Sequence, residues 1–177
     1  MGGDQRTGGV AELILFRHGK SDWSSVVPDA DRPLNKRGRR AAAAMGELLT
    51  GVDKVPDGVL VSPTARTQET LELAMGAGGW SCAVRTDGRL YGGGARAALS
   101  AVLEEDDATQ RLLVVGHEPT TSELLALLLG GGDYRVPTAA MALIDLAAER
   151  WDHVRPASGR LEWLLPPRLL RSASRPS

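Results

Sequence analysis

Two histidines and two arginines in this chain stand directly behind short apolar runs. Arg17 and His18 follow Leu13-Ile14-Leu15-Phe16, Arg66 lies in Ser62-Pro63-Thr64-Ala65-Arg66-Thr67 just after Gly58-Val59-Leu60-Val61, and His117 lies in Gly116-His117-Glu118-Pro119 after Leu112-Leu113-Val114-Val115. A neutral imidazole nitrogen attacks phosphorus directly and splits one difficult displacement into two easier ones. The arginine fork bonds two phosphoryl oxygens at once and holds their charge through an in-line transfer. The residue types therefore predict phosphoryl chemistry, with His18 as nucleophile, Arg17 and Arg66 as clamp and His117 as a further donor. The two arginines also disfavour imidazolium by like-charge repulsion, which keeps His18 available.

Such residues work together only if the fold brings them together. The apolar runs read as strands near 11–16, 58–61, 82–86 and 111–116, alternating with helical patterns at 35–50, 63–76, 95–105 and 120–129. Runs such as Leu112-Leu113-Val114-Val115 lack polar alternation, which is the mark of a strand covered by helices on both faces. Ligands bind beyond the carboxyl ends of strands in such sheets, so the three segments are expected to converge on one pocket. Residues 139–146 and 161–165 read as two further strands whose connection is too short for a crossover helix, which predicts an antiparallel edge. The fold class expected is α/β, a three-layer α/β/α sandwich with a mostly parallel sheet.

Composition fits this reading. At 177 residues, 42% hydrophobic and 24% charged, the chain is long enough to bury about two-thirds of its unfolded surface. A folded unit over 11–165 is expected between flexible tails at 1–10 and 166–177. The formal net charge of -1 gives no global pull toward nucleic acid or an anionic membrane, so anion binding must be local. Cys82, the one cysteine, excludes an intramolecular disulfide and reads as an inert thiol. With no signal-peptide pattern and no apolar run of spanning length, a cytoplasmic location is expected. Trp23 reads as a packed tryptophan. Arg32 and Arg37 either steer an acidic phosphoprotein, or Arg37 pairs with Glu47 or with a carboxylate on another element, and residues 92–94 read as a mobile glycine rim.

The segments Leu15-Phe16-Arg17-His18-Gly19-Lys20-Ser21-Asp22-Trp23, Asp31-Arg32-Pro33-Leu34-Asn35-Lys36-Arg37-Gly38, Ser62-Pro63-Thr64-Ala65-Arg66-Thr67 and Gly116-His117-Glu118-Pro119 together resemble the histidine phosphatase superfamily. They are most similar to the short SixA-type phosphohistidine phosphatases, with the Arg-Pro-Leu-Asn-x-Arg-Gly segment characteristic of that subgroup. The resemblance implies a phosphoglycerate mutase-like fold, His18 as phosphoryl acceptor, a phosphate pocket of Arg17, Arg66 and His117, and no metal or other cofactor. Ser24 stands where many mutase-like relatives carry a phosphate-contacting asparagine.

The general acid is open. Many relatives carry a glutamate after the third strand, where this chain reads Arg89-Leu90-Tyr91-Gly92-Gly93-Gly94. Glu118 occupies the position at which the acid phosphatase branch has its acidic donor, or it complements the dipole of the helix that follows. Asp22 and Asp31 are further candidates. A phosphoramidate needs a positioned acid less than an alkyl ester does, because solvent protonates the imidazole leaving group. The expected function is thus a metal-independent phosphatase acting through a phosphohistidine intermediate on phosphohistidine in a protein. The alternative is a broad small-molecule phosphomonoesterase, and a mutase or a non-catalytic phosphoryl-binding module comes third. The expected partner is a phosphorylated protein or a small phosphate ester, with neither nucleic acid nor membrane; the oligomeric state is left open.

Overall fold

A computed structural model of the chain describes residues 11–24 and 26–173. Strands β1 (Glu12–Arg17), β2 (Gly58–Val61), β3 (Ala83–Thr86), β4 (Arg111–Gly116), β5 (Met141–Leu146) and β6 (Gly159–Leu165) alternate with helices α1 (Lys36–Gly51), α2 (Ala65–Gly78), α3 (Gly94–Leu103) and α4 (Thr120–Leu129). They form one six-stranded sheet in the order β3-β2-β4-β1-β5-β6. The pairs β2–β3, β2–β4 and β1–β4 are parallel, whereas β1–β5 and β5–β6 are antiparallel. The mostly parallel sheet with an antiparallel edge matches expectation.

Side chains that alternate along the central strands feed two separate cores. Leu13, Leu15, Leu60, Leu112 and Val114 pack with Leu99 and Val102 of α3 and Leu124, Leu125 and Leu128 of α4. Ile14, Phe16, Val59, Val61, Leu113 and Val115 pack with Met45 and Leu49 of α1 and Leu71 and Ala74 of α2. Burial on both faces is why β1 and β4 read as unbroken apolar runs. At the sheet's edge, β3 is largely exposed, and only one of its residues is not.

The helices begin where local chemistry allows. Asn35 caps α1 by accepting from the Gly38 amide at 2.9 Å, and Gly79 and Gly130 close α2 and α4 in the left-handed region. Trp151, fully buried, donates its indole N–H to the Thr109 carbonyl at 2.9 Å.

Regular structure runs past the boundary expected at 165. Pro166 is buried, and a short helix, α5 (Arg168–Ala173), follows with Leu170 against the α1/α2-side core. Helical structure thus occupies part of the segment expected as a flexible tail at 166–177, with Leu170 as its contact to the core while Leu169 stays exposed. Residues 1–10 and 174–177, the other parts of the expected tails, lie outside the described residues. No helix among the described residues is long and apolar enough to cross a membrane.

Candidate active site

Three neighbouring parallel strands, β2, β4 and β1, end at one level of the sheet, with Arg17 opposite Gly116 and Val61 opposite Val115. The residues that follow each strand therefore meet. The His18 and His117 rings lie 5.1 Å apart between centroids, and the charges of Arg17 and Arg66 act on both of them.

His18 is set by its backbone. Its amide donates to the Gly116 carbonyl at 3.0 Å, and its Nδ1 lies 2.7 Å from the Gly19 carbonyl. A carbonyl only accepts, so Nδ1 carries the proton and Nε2 keeps its lone pair. That is the tautomer a nucleophile needs. Burial lowers the His18 pKa to about 4, against the backbone bond to Gly19, with Arg66 and Arg17 adding to the depression. Desolvation thus leads and like-charge repulsion follows, the reverse of the emphasis drawn from the sequence.

Gly19 and the Arg-Pro-Leu-Asn-x-Arg-Gly segment form one structural unit. A Cβ on Gly19 would lie 2.8 Å from the Gly38 carbonyl oxygen, and one on Gly38 would lie 2.3 Å from the Lys20 carbonyl oxygen. The backbone of the nucleophile loop rests directly on the first turn of α1. Asn35 donates from Nδ2 to the Ser21 carbonyl at 3.1 Å while its own amide donates to the Lys20 carbonyl at 2.9 Å. Leu34 is buried beneath, and the Gly19 amide donates to Thr70 Oγ1 at 3.0 Å. Through these backbone contacts the motif holds the loop that carries His18 in place.

Arg17 donates one guanidinium nitrogen to the Val136 carbonyl at 2.8 Å, and its Nε is buried without a partner among the described residues. His117 places Nε2 2.8 Å from Ser62 Oγ and 3.4 Å from Thr64 Oγ1, and its Nδ1 is likewise buried without a partner. An unpaired buried donor costs about 1–3 kcal/mol, which an oxyanion accepting from it would recover. Burial, with His18 and Arg66 nearby, lowers the His117 pKa to about 3.

Arg66, in the first turn of α2, donates to both the Asp29 carbonyl at 2.5 Å and Asp29 Oδ2 at 2.9 Å. Tyr91 donates to the same carboxylate at 3.0 Å, with its ring 5.5 Å from that of His117. Sequence reasoning missed Asp29, Tyr91, Ser62 and Thr64. Of these only Ser62 and Thr64 carried a signal, by standing between β2 and Arg66. Arg66 holds the Asp29 carboxyl below its usual range.

The candidate acids have hydrogen-bond partners or surroundings of their own. Glu118 accepts from the Ser122 amide at 3.1 Å and the Ser122 hydroxyl at 2.7 Å, within the start of α4. It also shares a depression with Arg17, Val136 and Pro137. Asp22 caps the Ser24 amide at 2.8 Å, and Asp31 is exposed in the short 3-10 turn Asp29–Asp31. Trp23 is not packed: it is 73% exposed and the Arg32 guanidinium stacks on it, 3.7 Å from the ring centroid. Arg37 is exposed and does not pair with Glu47; it is Arg39 that pairs, with Glu69 at 2.5 Å. The glycines expected to form a mobile rim follow an ion-paired turn. Arg89 bridges Asp87 and Glu104, and Gly92 and Gly94 take φ of 82° and 75°, so these glycines are needed for the turn itself.

Comparison with known proteins gives the same picture. The family model described as histidine phosphatase superfamily (branch 1) matches residues 13–91. A solved structure, described as a candidate phosphohistidine phosphatase SixA from Nakamurella multipartitia, is 31% identical over 90% of this chain and 97% of that one, with a TM-score of 0.79. The protein histidine phosphatase SixA in complex with tungstate has the same fold, at 23% identity over 90% of this chain and 99% of that one, with a TM-score of 0.79. Among curated sequences, a 2,3-bisphosphoglycerate-dependent phosphoglycerate mutase of Mycobacterium leprae is 37% identical over 76 residues. That alignment covers 41% of this chain, which spans only 31% of the mutase's length.

Proposed function

Because the chain belongs to the histidine phosphatase superfamily, we propose that it is a phosphatase that passes the phosphoryl group through His18, with phosphohistidine in a protein as its substrate. The observation that carries this is the state of His18: half-buried, held neutral with a pKa lowered to about 4, and with Nδ1 engaged by the Gly19 carbonyl so that Nε2 is the free nucleophile. Arg17, Arg66 and His117 surround it with donors.

Two displacements follow. In the first, His18 Nε2 bonds to phosphorus as the P–N bond of the substrate breaks, and the departing imidazole keeps the electron pair and takes a proton from solvent. In the second, water bonds to phosphorus, the His18 P–N bond breaks and inorganic phosphate leaves. Arg17, Arg66 and His117 hold the three equatorial oxygens throughout, so their contribution is positioning and charge stabilisation. Asp29, Asp22 and Glu118 each have a partner of their own in Arg66, Ser24 and Ser122, which supports a substrate that needs no positioned acid.

The small-ester reading rests on Glu118, which shares a depression with Arg17. Turnover of a phosphohistidine protein, para-nitrophenyl phosphate and an alkyl phosphate by the native chain, His18→Ala and Glu118→Gln distinguishes the two. The expected result is phosphohistidine cleavage that vanishes in His18→Ala and survives in Glu118→Gln. Alkyl ester cleavage lost in Glu118→Gln by about 10²-fold or more would favour the broader phosphomonoesterase.

A further inference from the structure

Cationic side chains gather on one side of the phosphoryl site. Lys20, Arg37 and Arg168 line a cavity of about 80 Å³ walled by Pro137 and Pro166. Arg37 and Arg40 line a second, of about 240 Å³, over Ala41 and Ala44. The two share Arg37, Ala41 and Pro167, so they make one trough along the outer face of α1. No Asp or Glu lines either cavity, although the chain as a whole has a formal net charge of -1. Lys20, Arg37 and Arg40 have no ion-pair partner among the described residues, whereas Arg39 on the same helix pairs with Glu69.

One end of this trough reaches the site. Lys20 follows His18 by two positions, and Pro137 and Thr138 line both the first cavity and the depression that holds Arg17. From there Arg37 and Arg40 extend the positive charge over three helical residues, about 4.5 Å along the axis. A small phosphate ester held at His18 has no use for charge placed there. A chain that continues beyond its phosphorylated residue does.

We infer that the trough docks an acidic segment of a phosphorylated protein, seating carboxylates on Lys20, Arg37 and Arg40 while the phosphoryl group enters between His18 and Arg66. The inference rests on the phosphatase reading above and names the class of protein it acts on. Asp29, whose carboxylate meets Arg66 at the phosphoryl site, opposes the continuous charge of a nucleic acid there. A short acidic segment that lies along Arg37 and Arg40 avoids it.

The test uses two peptides with one central histidine phosphorylated by phosphoramidate, flanked in one by glutamates and in the other by glutamines. The full chain is expected to prefer the glutamate peptide by about tenfold in kcat/KM at low salt, through KM, with the preference shrinking as salt rises. The double variant Arg37→Gln/Arg40→Gln should lose most of that preference while keeping its turnover of para-nitrophenyl phosphate and of the glutamine peptide. Arg37→Lys/Arg40→Lys should restore it. Equal handling of the two peptides by the native chain, or a preference that survives the double variant, overturns the inference. Fluorescence anisotropy of the unphosphorylated glutamate peptide reads docking without turnover. Binding lost in the double variant, with neither phosphopeptide cleaved by the native chain, would leave the docking surface standing and overturn the phosphohistidine reading instead.

Discussion

At the scale of single residues, the site is governed by which hydrogen bonds each side chain has already made. His18 spends Nδ1 on the Gly19 carbonyl, so incubation with a phosphohistidine substrate followed by an alkaline quench should trap phosphate on Nε2 of His18. Absence of that adduct under single-turnover conditions, with product still forming, would sink the covalent route. Arg66 meets Asp29 at both of its terminal nitrogens, and an incoming phosphate must compete for the same fork. Asp29→Asn should therefore bind inorganic phosphate about threefold to tenfold more tightly, measured as competitive inhibition, because a like charge is removed from beside the dianion. Weaker inhibition in this variant would mean that Asp29 mainly holds Arg66 in position.

At the scale of elements, the nucleophile loop and the start of α1 are joined backbone to backbone. Asn35 performs two tasks there, capping α1 at Gly38 and tying down Ser21. Asn35→Asp keeps the cap acceptor and loses the donor to Ser21, whereas Asn35→Ala loses both. Urea unfolding should show a loss of about 1 kcal/mol for Asn35→Ala and a smaller one for Asn35→Asp. Turnover should fall in both variants, since both release the loop. Gly19→Ala is the harsher change, with its Cβ 2.8 Å from the Gly38 carbonyl oxygen. Overpacking of this kind costs about 1–3 kcal/mol, and here the backbone that must yield is the one carrying His18, so kcat should fall more than stability does.

At the scale of the whole molecule, the buried site makes stability depend on pH. The pKa values of His18 and His117 are lowered from 6.5 to about 4 and about 3. Between those values and 6.5 the unfolded chain holds protons that the native chain does not, so stability is full above pH 6.5 and declines as pH falls through that window. Asp87, lowered from 3.8 to about 2 by Arg89, adds a carboxylate contribution that persists above its unfolded pKa and is lost below about pH 4. Thermal unfolding should thus show a Tm that falls between pH 6.5 and 4, by less in His18→Asn, where one titrating group is gone. An unchanged slope in that variant would mean that His18 is not held neutral in the fold.

The sequence by itself determined the strands, helices α1 to α4 and the four residues at the strand ends, because those features are written in local periodicity and in what directly follows each apolar run. Once β2, β4 and β1 are neighbours, Arg17, His18, Arg66 and His117 have nowhere else to converge. The antiparallel edge was legible for the same reason, from a connection too short to cross over. Only the tertiary structure decided what surrounds those four. Asp29 and Tyr91 come from separate loops, 62 positions apart in sequence, and no local pattern marks two loop residues that meet over a third. The same holds for Trp23, whose ring lies exposed under Arg32, and for the trough, which exists because Pro166 and Pro167 return to the flank of α1 after more than a hundred residues. Desolvation of His18 and His117 is likewise a property of the assembled fold, since burial belongs to the packing around a side chain and not to the residues beside it in the chain.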